Sequence, residues 1–229
     1  MAKTIIITGA NGGLGTAVVE KFLTEGYSVI GVSHSERQTA SIKEHPNYEH
    51  YVVDVANEQE AGQFINKIID KYKTVHGALL LVGAFDMGNI HQTPGSALKK
   101  MLEVNFESAY YMARPLFAHM MEHNYGRIVL ISSRPAFHDG GKNAIAYTLS
   151  KTLLNKLSEL LNETAKGTNV VCSVVVPSTI DTPANRKDMP NADPAKWVRP
   201  GEIANLLEFI CSDEAISLRD PVYKIYGNA

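Results

Sequence analysis

Tyr147 and Lys151 flank Thr148-Leu149-Ser150, and their types and spacing suit acid–base chemistry. Residues four apart on a helix share a face one turn apart. A lysine cation beside a phenol favours the phenolate, so Lys151 is expected to lower the tyrosine pKa from its usual value of about 10. A phenol tuned in that way gives a proton to a carbonyl oxygen, or takes one from an alcohol, near neutral pH. The chain has ten tyrosines in 229 residues, so the pair alone could equally be a helix-surface contact. Its meaning depends on the elements that position it.

Those elements alternate. Apolar, β-branched runs predict strands at residues 3–8, 27–33, 51–55, 75–82, 127–132, 170–176 and 222–226. Helical spacing of apolar residues predicts helices at 16–25, 58–72, 96–123, 144–164 and 202–211. Pro115 is expected to kink the third of these. Alternation of this kind implies right-handed crossovers and an α/β fold, a doubly wound, Rossmann-like parallel sheet. A chain of 229 residues, 45% hydrophobic and 20% charged, fits a single domain spanning 1–229. A net charge of -2 leaves no electrostatic footprint for nucleic acid, and no basic run or long apolar span suggests a membrane. Cys172 and Cys211 form no CxxC pair and are expected to be reduced thiols of a cytoplasmic protein. Ligands in such sheets bind beyond the carboxyl ends of the strands.

At the first of those ends lies Thr8-Gly9-Ala10-Asn11-Gly12-Gly13-Leu14-Gly15. Glycines allow close backbone approach to a pyrophosphate, and a helix amino end offers free N–H groups and a positive dipole. Gly9, Asn11, Gly12, Gly13, Leu14 and Gly15 are therefore candidate nucleotide-binding residues. The second strand ends in Ser33-His34-Ser35, with Arg37 close behind and no carboxylate before Glu36. An acid there would bind a ribose 2′-hydroxyl. Hydroxyls with a nearby cation suit a 2′-phosphate, which favours NADP(H) over NAD(H). Asp54, followed by Val55, could accept from the adenine amino group or cap the next helix.

The glycine turn and the Tyr147/Lys151 pair together resemble the short-chain dehydrogenase/reductase family, over essentially the whole chain. The resemblance implies a catalytic set of Asn105, Ser133, Tyr147 and Lys151. Asn105 would hold a water in a proton relay reaching Lys151. Ser133, with Ser132 as the fallback, would hydrogen-bond the substrate oxygen. Tyr147 and Lys151 would also touch the cofactor. Pro177-Ser178-Thr179-Ile180-Asp181-Thr182 resembles the family's Pro-Gly segment, so Pro177, Ile180 and Thr182 would border the nicotinamide. Gly83 and Ala84 would let the backbone pass beside the cofactor. The family often has Asn-Asn-Ala-Gly there, and Leu81-Val82-Gly83-Ala84 lacks those bracing asparagines. The family commonly forms homodimers and homotetramers through the helices that here carry Asn105 and Tyr147.

Residues 181–200 read as a substrate lid, because five of the ten prolines fall between Pro177 and Pro200. Phe85, Met87, Phe137, Met189 and Trp197 could wall a pocket, and Asn185 and Arg186 could read a polar group. Asp181 to Asp193, with Trp197, resembles the lid of dihydropteridine reductases. His119-Met120-Met121-Glu122-His123 fits a zinc-protease pattern, but it lies at a helix carboxyl end, where histidines are favourable anyway, and no metal site is expected. The expected function is NADP(H)-dependent hydride transfer between a nicotinamide and a carbonyl or alcohol substrate. The alternatives are a quinonoid dihydropteridine reductase and a non-catalytic nucleotide-binding regulator.

Overall fold

The computed structural model describes residues 2–36, 40–138 and 140–228. Its strands are β1 (Thr4–Thr8), β2 (Ser28–Ser33), β3 (Tyr48–Val52), β4 (Gly77–Leu80), β5 (Tyr125–Ile131), β6 (Asn169–Pro177) and β7 (Val222–Ile225). They form one seven-stranded sheet, ordered β3-β2-β1-β4-β5-β6-β7. Every pairing is parallel. The helices are α1 (Gly13–Thr24), α2 (Ala40–Lys43), α3 (Glu58–Tyr72), α4 (Gly95–Leu102), α5 (Ser108–Glu122), α6 (Ile145–Thr164), α7 (Pro183–Asp188) and α8 (Pro200–Cys211). The chain direction reverses its walk across the sheet between β3 and β4, and β1 sits at that switch point, where such folds bind ligands.

Strand alternation sorts the core into two layers. Ile6, Ile30, Leu80, Ile128 and Leu130 face one side, under Phe64, Ile65 and Ile68 of α3, Met112 and Leu116 of α5, and Leu154 of α6. Ile5, Ile7, Val29, Leu79 and Val129 face the other, under Val18 and Phe22 of α1 and Ile203 and Leu207 of α8. Side chains two apart share a face, so each central strand is apolar on both sides.

Two sequence expectations shift. The third strand is Tyr48–Val52, so Asp54 and Val55 lie in the turn beyond it. The long helix divides, with a π-helical stretch, Glu103–Glu107, between α4 and α5. The irregularity therefore falls around Asn105, and α5 runs through Pro115. Between residues 181 and 200 the chain forms only α7 and a short 3-10 turn, Pro194–Lys196, as the prolines imply.

Two histidines, His119 buried and His76 partly so, tie down the amino ends of the central strands. His76 Nδ1 accepts from the Thr4 N–H at 3.0 Å, and His119 Nε2 accepts from the Val75 N–H at 3.2 Å. His119, Glu122 and His123 each bring a potential ligand atom within 4.8 Å of the others. A neutral imidazole has one lone-pair nitrogen, and that of His119 is already occupied by Val75. His123 Nδ1 in turn sits 2.8 Å from the His119 carbonyl. These partners explain the motif without a metal. Burial lowers the pKa of both His76 and His119. The unfolded chain, with imidazoles near about 6.5, takes up protons first, so stability present above that value declines as pH falls toward the lowered folded values. Urea midpoints are expected to drop between about pH 7.5 and about pH 5.5. Midpoints constant across that window would contradict this account.

Candidate active site

The glycine turn folds back on itself. Gly9 adopts φ +67°, and the Gly12 N–H donates to the Gly9 carbonyl at 2.9 Å. A Cβ on Gly15 would stand 2.0 Å from that same carbonyl oxygen, so no larger residue fits. Gly12 caps α1 without any side-chain hydrogen bond, which leaves the amino end of the helix open to an anion. A Cβ on Gly13 would lie 2.9 Å from the Thr182 side chain, so the base of the lid rests on the turn.

Beside the turn is a cavity of about 110 Å³. Gly9, Asn11, Ser33, His34, Ser35 and Val55 line it, with Val32, Val53 and Val82 as its apolar wall. Six sequence-predicted residues thus share one cleft. Asn11 Nδ2 donates to Ser35 Oγ at 3.0 Å and joins the glycine turn to the end of β2. Ser33 is buried, and its Oγ meets the Ser35 carbonyl and His50 rather than open solvent. Arg37 lies outside the described residues. Asp54 accepts from the Ala56 N–H at 3.0 Å, while the capping of α3 falls to Asn57. A buried strand, an open helix end and an apolar slot between β2 and β4 fit a dinucleotide.

The second cluster sits where β5 ends. Lys151 is buried and donates from Nζ to the Ile131 carbonyl at 2.9 Å. Burial pushes its pKa down to about 8. Ser132 Oγ donates to the Lys151 carbonyl at 3.2 Å, which ties β5 to α6 and removes Ser132 as a substrate ligand. Ser133 Oγ is buried with no hydrogen-bond partner at conventional distance. It still acts on the Tyr147 phenol, as a neighbouring donor that offsets part of the effect of burial. The net direction for Tyr147 is upward, which corrects the expectation of a lowered pKa. Desolvation disfavours the phenolate, and the Lys151 ammonium is turned toward Ile131. The Phe85 ring packs edge-on against Tyr147, with centroids 4.9 Å apart.

Asn105 braces this cluster. Its Oδ1 accepts from the Ala84 N–H at 2.8 Å, and its Nδ2 donates to the Ala84 carbonyl at 3.0 Å and to Ser150 Oγ at 3.1 Å. Ser150 Oγ passes on to the Tyr147 carbonyl at 2.7 Å. A Cβ on Gly83 would be 2.8 Å from Asn105 Oδ1 and 2.9 Å from Lys151 Nζ, so only glycine lets the three meet. The bracing asparagines missing after β4 are replaced in part by Thr8, whose Oγ1 accepts from the Leu81 N–H at 3.0 Å.

On the lid side, Pro177 ends β6 and Ser178 Oγ donates to the Tyr226 carbonyl at 2.7 Å. Ile180 bridges to Val198. Asn185 Nδ2 donates to the Ile180 carbonyl at 2.8 Å, and Arg186 forms a bidentate pair with Asp181 at 2.6 and 2.8 Å. These two side chains therefore shape the lid, where the sequence suggested substrate readers. Trp197 is buried and belongs to the core. Phe85 and Met87, at 60% and 67% exposed, remain available as walls.

A family described as short chain dehydrogenase has a sequence model that matches residues 3–193. The chain belongs to that family, and its class is NAD(P)-linked oxidoreductase acting on small molecules. It is 26% identical to an uncharacterized oxidoreductase, YvrD, of Bacillus subtilis, over 98% of this chain and 95% of that one. A dihydropteridine reductase of Dictyostelium discoideum is also 26% identical, over 90% of this chain and 87% of its own. Among solved structures, ElxO with NADP bound superposes with a TM-score of 0.92 at 22% identity, covering 99% of this chain and 98% of that one. No helix among the described residues is long and apolar enough to cross a membrane.

The buried lysine has a thermodynamic consequence. Its folded pKa of about 8 lies below the ordinary lysine value of 10.5, so the unfolded chain binds more protons between the two. Stability is therefore expected to rise with pH across that window, and the charge is a net burden at neutral pH. Lys151→Met is expected to stabilise the fold by up to about 3 kcal/mol at pH 7 while abolishing turnover. Urea denaturation beside an activity assay checks both, and a clear loss of stability would count against the assigned cost of burying the charge.

Proposed function

We propose that this enzyme is an NADP(H)-dependent oxidoreductase that interconverts a carbonyl compound and its alcohol. The observation that supports the reading is the convergence, beside Gly83, of a buried ammonium and a brace reaching Tyr147, with an unpartnered Ser133 hydroxyl next to the phenol. The nicotinamide, when bound, supplies or accepts the hydride. Gly9, Gly12, Gly13, Leu14 and Gly15 hold the pyrophosphate through backbone groups. Asn11, Ser33, His34 and Ser35, with Arg37 beyond the described residues, face the ribose, while Asp54 and Val55 border the adenine. Gly83, Ala84, Pro177, Ile180 and Thr182 border the nicotinamide.

Ser133 orients the substrate oxygen through its hydroxyl, the role of an oxyanion donor. Tyr147 gives that oxygen its proton on reduction and takes it back on oxidation. Lys151, with a pKa of about 8, is mostly charged at neutral pH and stabilises the phenolate left behind. It has two further donor hydrogens beyond the one on Ile131, available to ribose hydroxyls. Asn105 supports the proton relay. Exposed Tyr110, Leu149, Leu153 and Leu160 on α5 and α6 support assembly as a homodimer or homotetramer through that face. Free, buried Cys172 and Cys211 support a reducing, cytoplasmic setting.

A second reading, reduction of a quinonoid dihydropterin, is favoured by the lid sequence and by the dihydropteridine reductase relative. Assaying a quinonoid dihydropterin beside simple ketones and aldehydes with NADPH separates the two. Carbonyl turnover at least about tenfold more efficient, as kcat/KM, is expected on the first reading. Tyr147→Phe is expected to lower kcat by about 10²–10⁴-fold with an unchanged unfolding midpoint. Full activity in that variant would remove Tyr147 as the proton donor.

A further inference from the structure

A buried imidazole lies beneath the cleft. His50 belongs to β3, and its side chain is 6% exposed. Its Nε2 is 2.6 Å from Ser33 Oγ, and Ser33 Oγ donates to the Ser35 carbonyl at 2.9 Å. A hydroxyl carries one proton, and a carbonyl can only accept. In the tautomer that keeps the Ser33 proton on Ser35, His50 Nε2–H donates to Ser33 and the lone pair lies on Nδ1. Nδ1 is buried with no hydrogen-bond partner. Facing it, 3.7 Å away, is an oxygen of Glu36, whose side chain is 86% exposed and which follows the cleft-lining Ser35 in the chain. In that tautomer two acceptors oppose each other, and in either tautomer the second ring proton turns the contact with Glu36 into an ion pair.

We propose that His50 is a positioning residue that sets the preference of the cleft between a 2′-phosphate and a 2′-hydroxyl on the cofactor ribose. The inference rests on the reading of this cleft as the cofactor's ribose site. With His50 neutral, Glu36 keeps its full negative charge beside Ser35. It repels a phosphate and can accept from a hydroxyl. With His50 protonated, Nδ1–H pairs with Glu36, and a positive charge sits under Ser33. Repulsion of a phosphate is relieved, and the acceptor for a hydroxyl is withdrawn. NADP(H) gains on NAD(H) as pH falls.

Among the described residues, other charged groups near this point are arranged away from the imidazole. His34 and Asp54 face each other at 4.0 Å, and Glu49, next to His50 on β3, is paired with Lys71 of α3. Tyr48 presents a ring 6.4 Å from the imidazole. Burial outweighs the opposing pull of Glu36 and lowers the imidazole pKa below its ordinary value.

The test is direct binding of NADPH and NADH to the purified chain, followed by nicotinamide fluorescence, from about pH 8 to about pH 5. The ratio of the NADH to the NADPH dissociation constant is expected to rise about fivefold in the parent protein, the scale set by one charge about 4 Å from a largely solvent-exposed one. His50→Gln can still donate to Ser33 but cannot take a proton, and its ratio is expected to stay flat or fall. A phosphate itself titrates near about pH 6, and this variant measures that contribution alone. Glu36→Gln is expected to favour NADPH already at about pH 8 and to lose most of the pH dependence, which gives a second route if His50→Gln does not fold. Equal pH slopes in the parent and in both folded variants overturn the proposal. A folded chain that binds neither dinucleotide overturns the reading of the cleft instead, and the inference falls with it.

Discussion

One ammonium group organises the molecule. Lys151 Nζ is buried, and a backbone carbonyl, that of Ile131, takes its hydrogen bond. An ion in such a setting is held only if its surroundings are rigid, because desolvation of a charge costs several kcal/mol. The rigidity is visible. β5 delivers Ile131, Ser132 locks α6 to that strand, and Gly83 withholds a side chain from the space the ammonium needs. The two apolar layers supply the stability that tolerates the charge. In this sense the sheet is the mount, and the lysine is what it was built to hold.

Much of the fold was legible because central parallel strands are apolar on both faces and are punctuated by glycine. β3 was misplaced by three residues for the complementary reason. It is an edge strand reading Tyr48-Glu49-His50-Tyr51-Val52, with polar side chains among the apolar ones, so hydrophobicity marks it weakly. The π-helical stretch left no trace in periodicity, though the polar residue at its centre, Asn105, was conspicuous in an apolar run. Residues read from motifs came together: Gly9, Asn11 and Ser33 in one cleft, and Tyr147, Ser133 and Lys151 around another point. Partnerships were not legible. Nothing local tells that Arg186 closes on Asp181, that Asn185 turns to Ile180, or that His50 reaches Ser33 from another strand. The direction of the Tyr147 pKa was missed for the same reason, since burial is a property of the whole packing and not of a four-residue spacing.

Where the chain departs from the expected pattern, it compensates through different atoms. Leu81 and Val82 supply no side-chain amide, yet the Leu81 N–H finds Thr8 across the sheet. Ala84 finds Asn105 with both of its backbone groups. Such buried amides need partners, whichever residue provides them.

The π-helical stretch at Glu103–Glu107 ties two distant properties into one piece of geometry. A wider turn admits about one residue more than an α-helical one, and one residue corresponds to about 100° of rotation about the axis. The same local widening that aims Asn105 at Ala84 therefore sets the azimuth of everything downstream on α5. Met112, Leu116 and Met120 look into the sheet, and Tyr110 looks outward, because of it. A deletion that made the helix regular would swing the core face of α5 sideways, so the chemistry of the centre and the outer surface of the protein share a single phase.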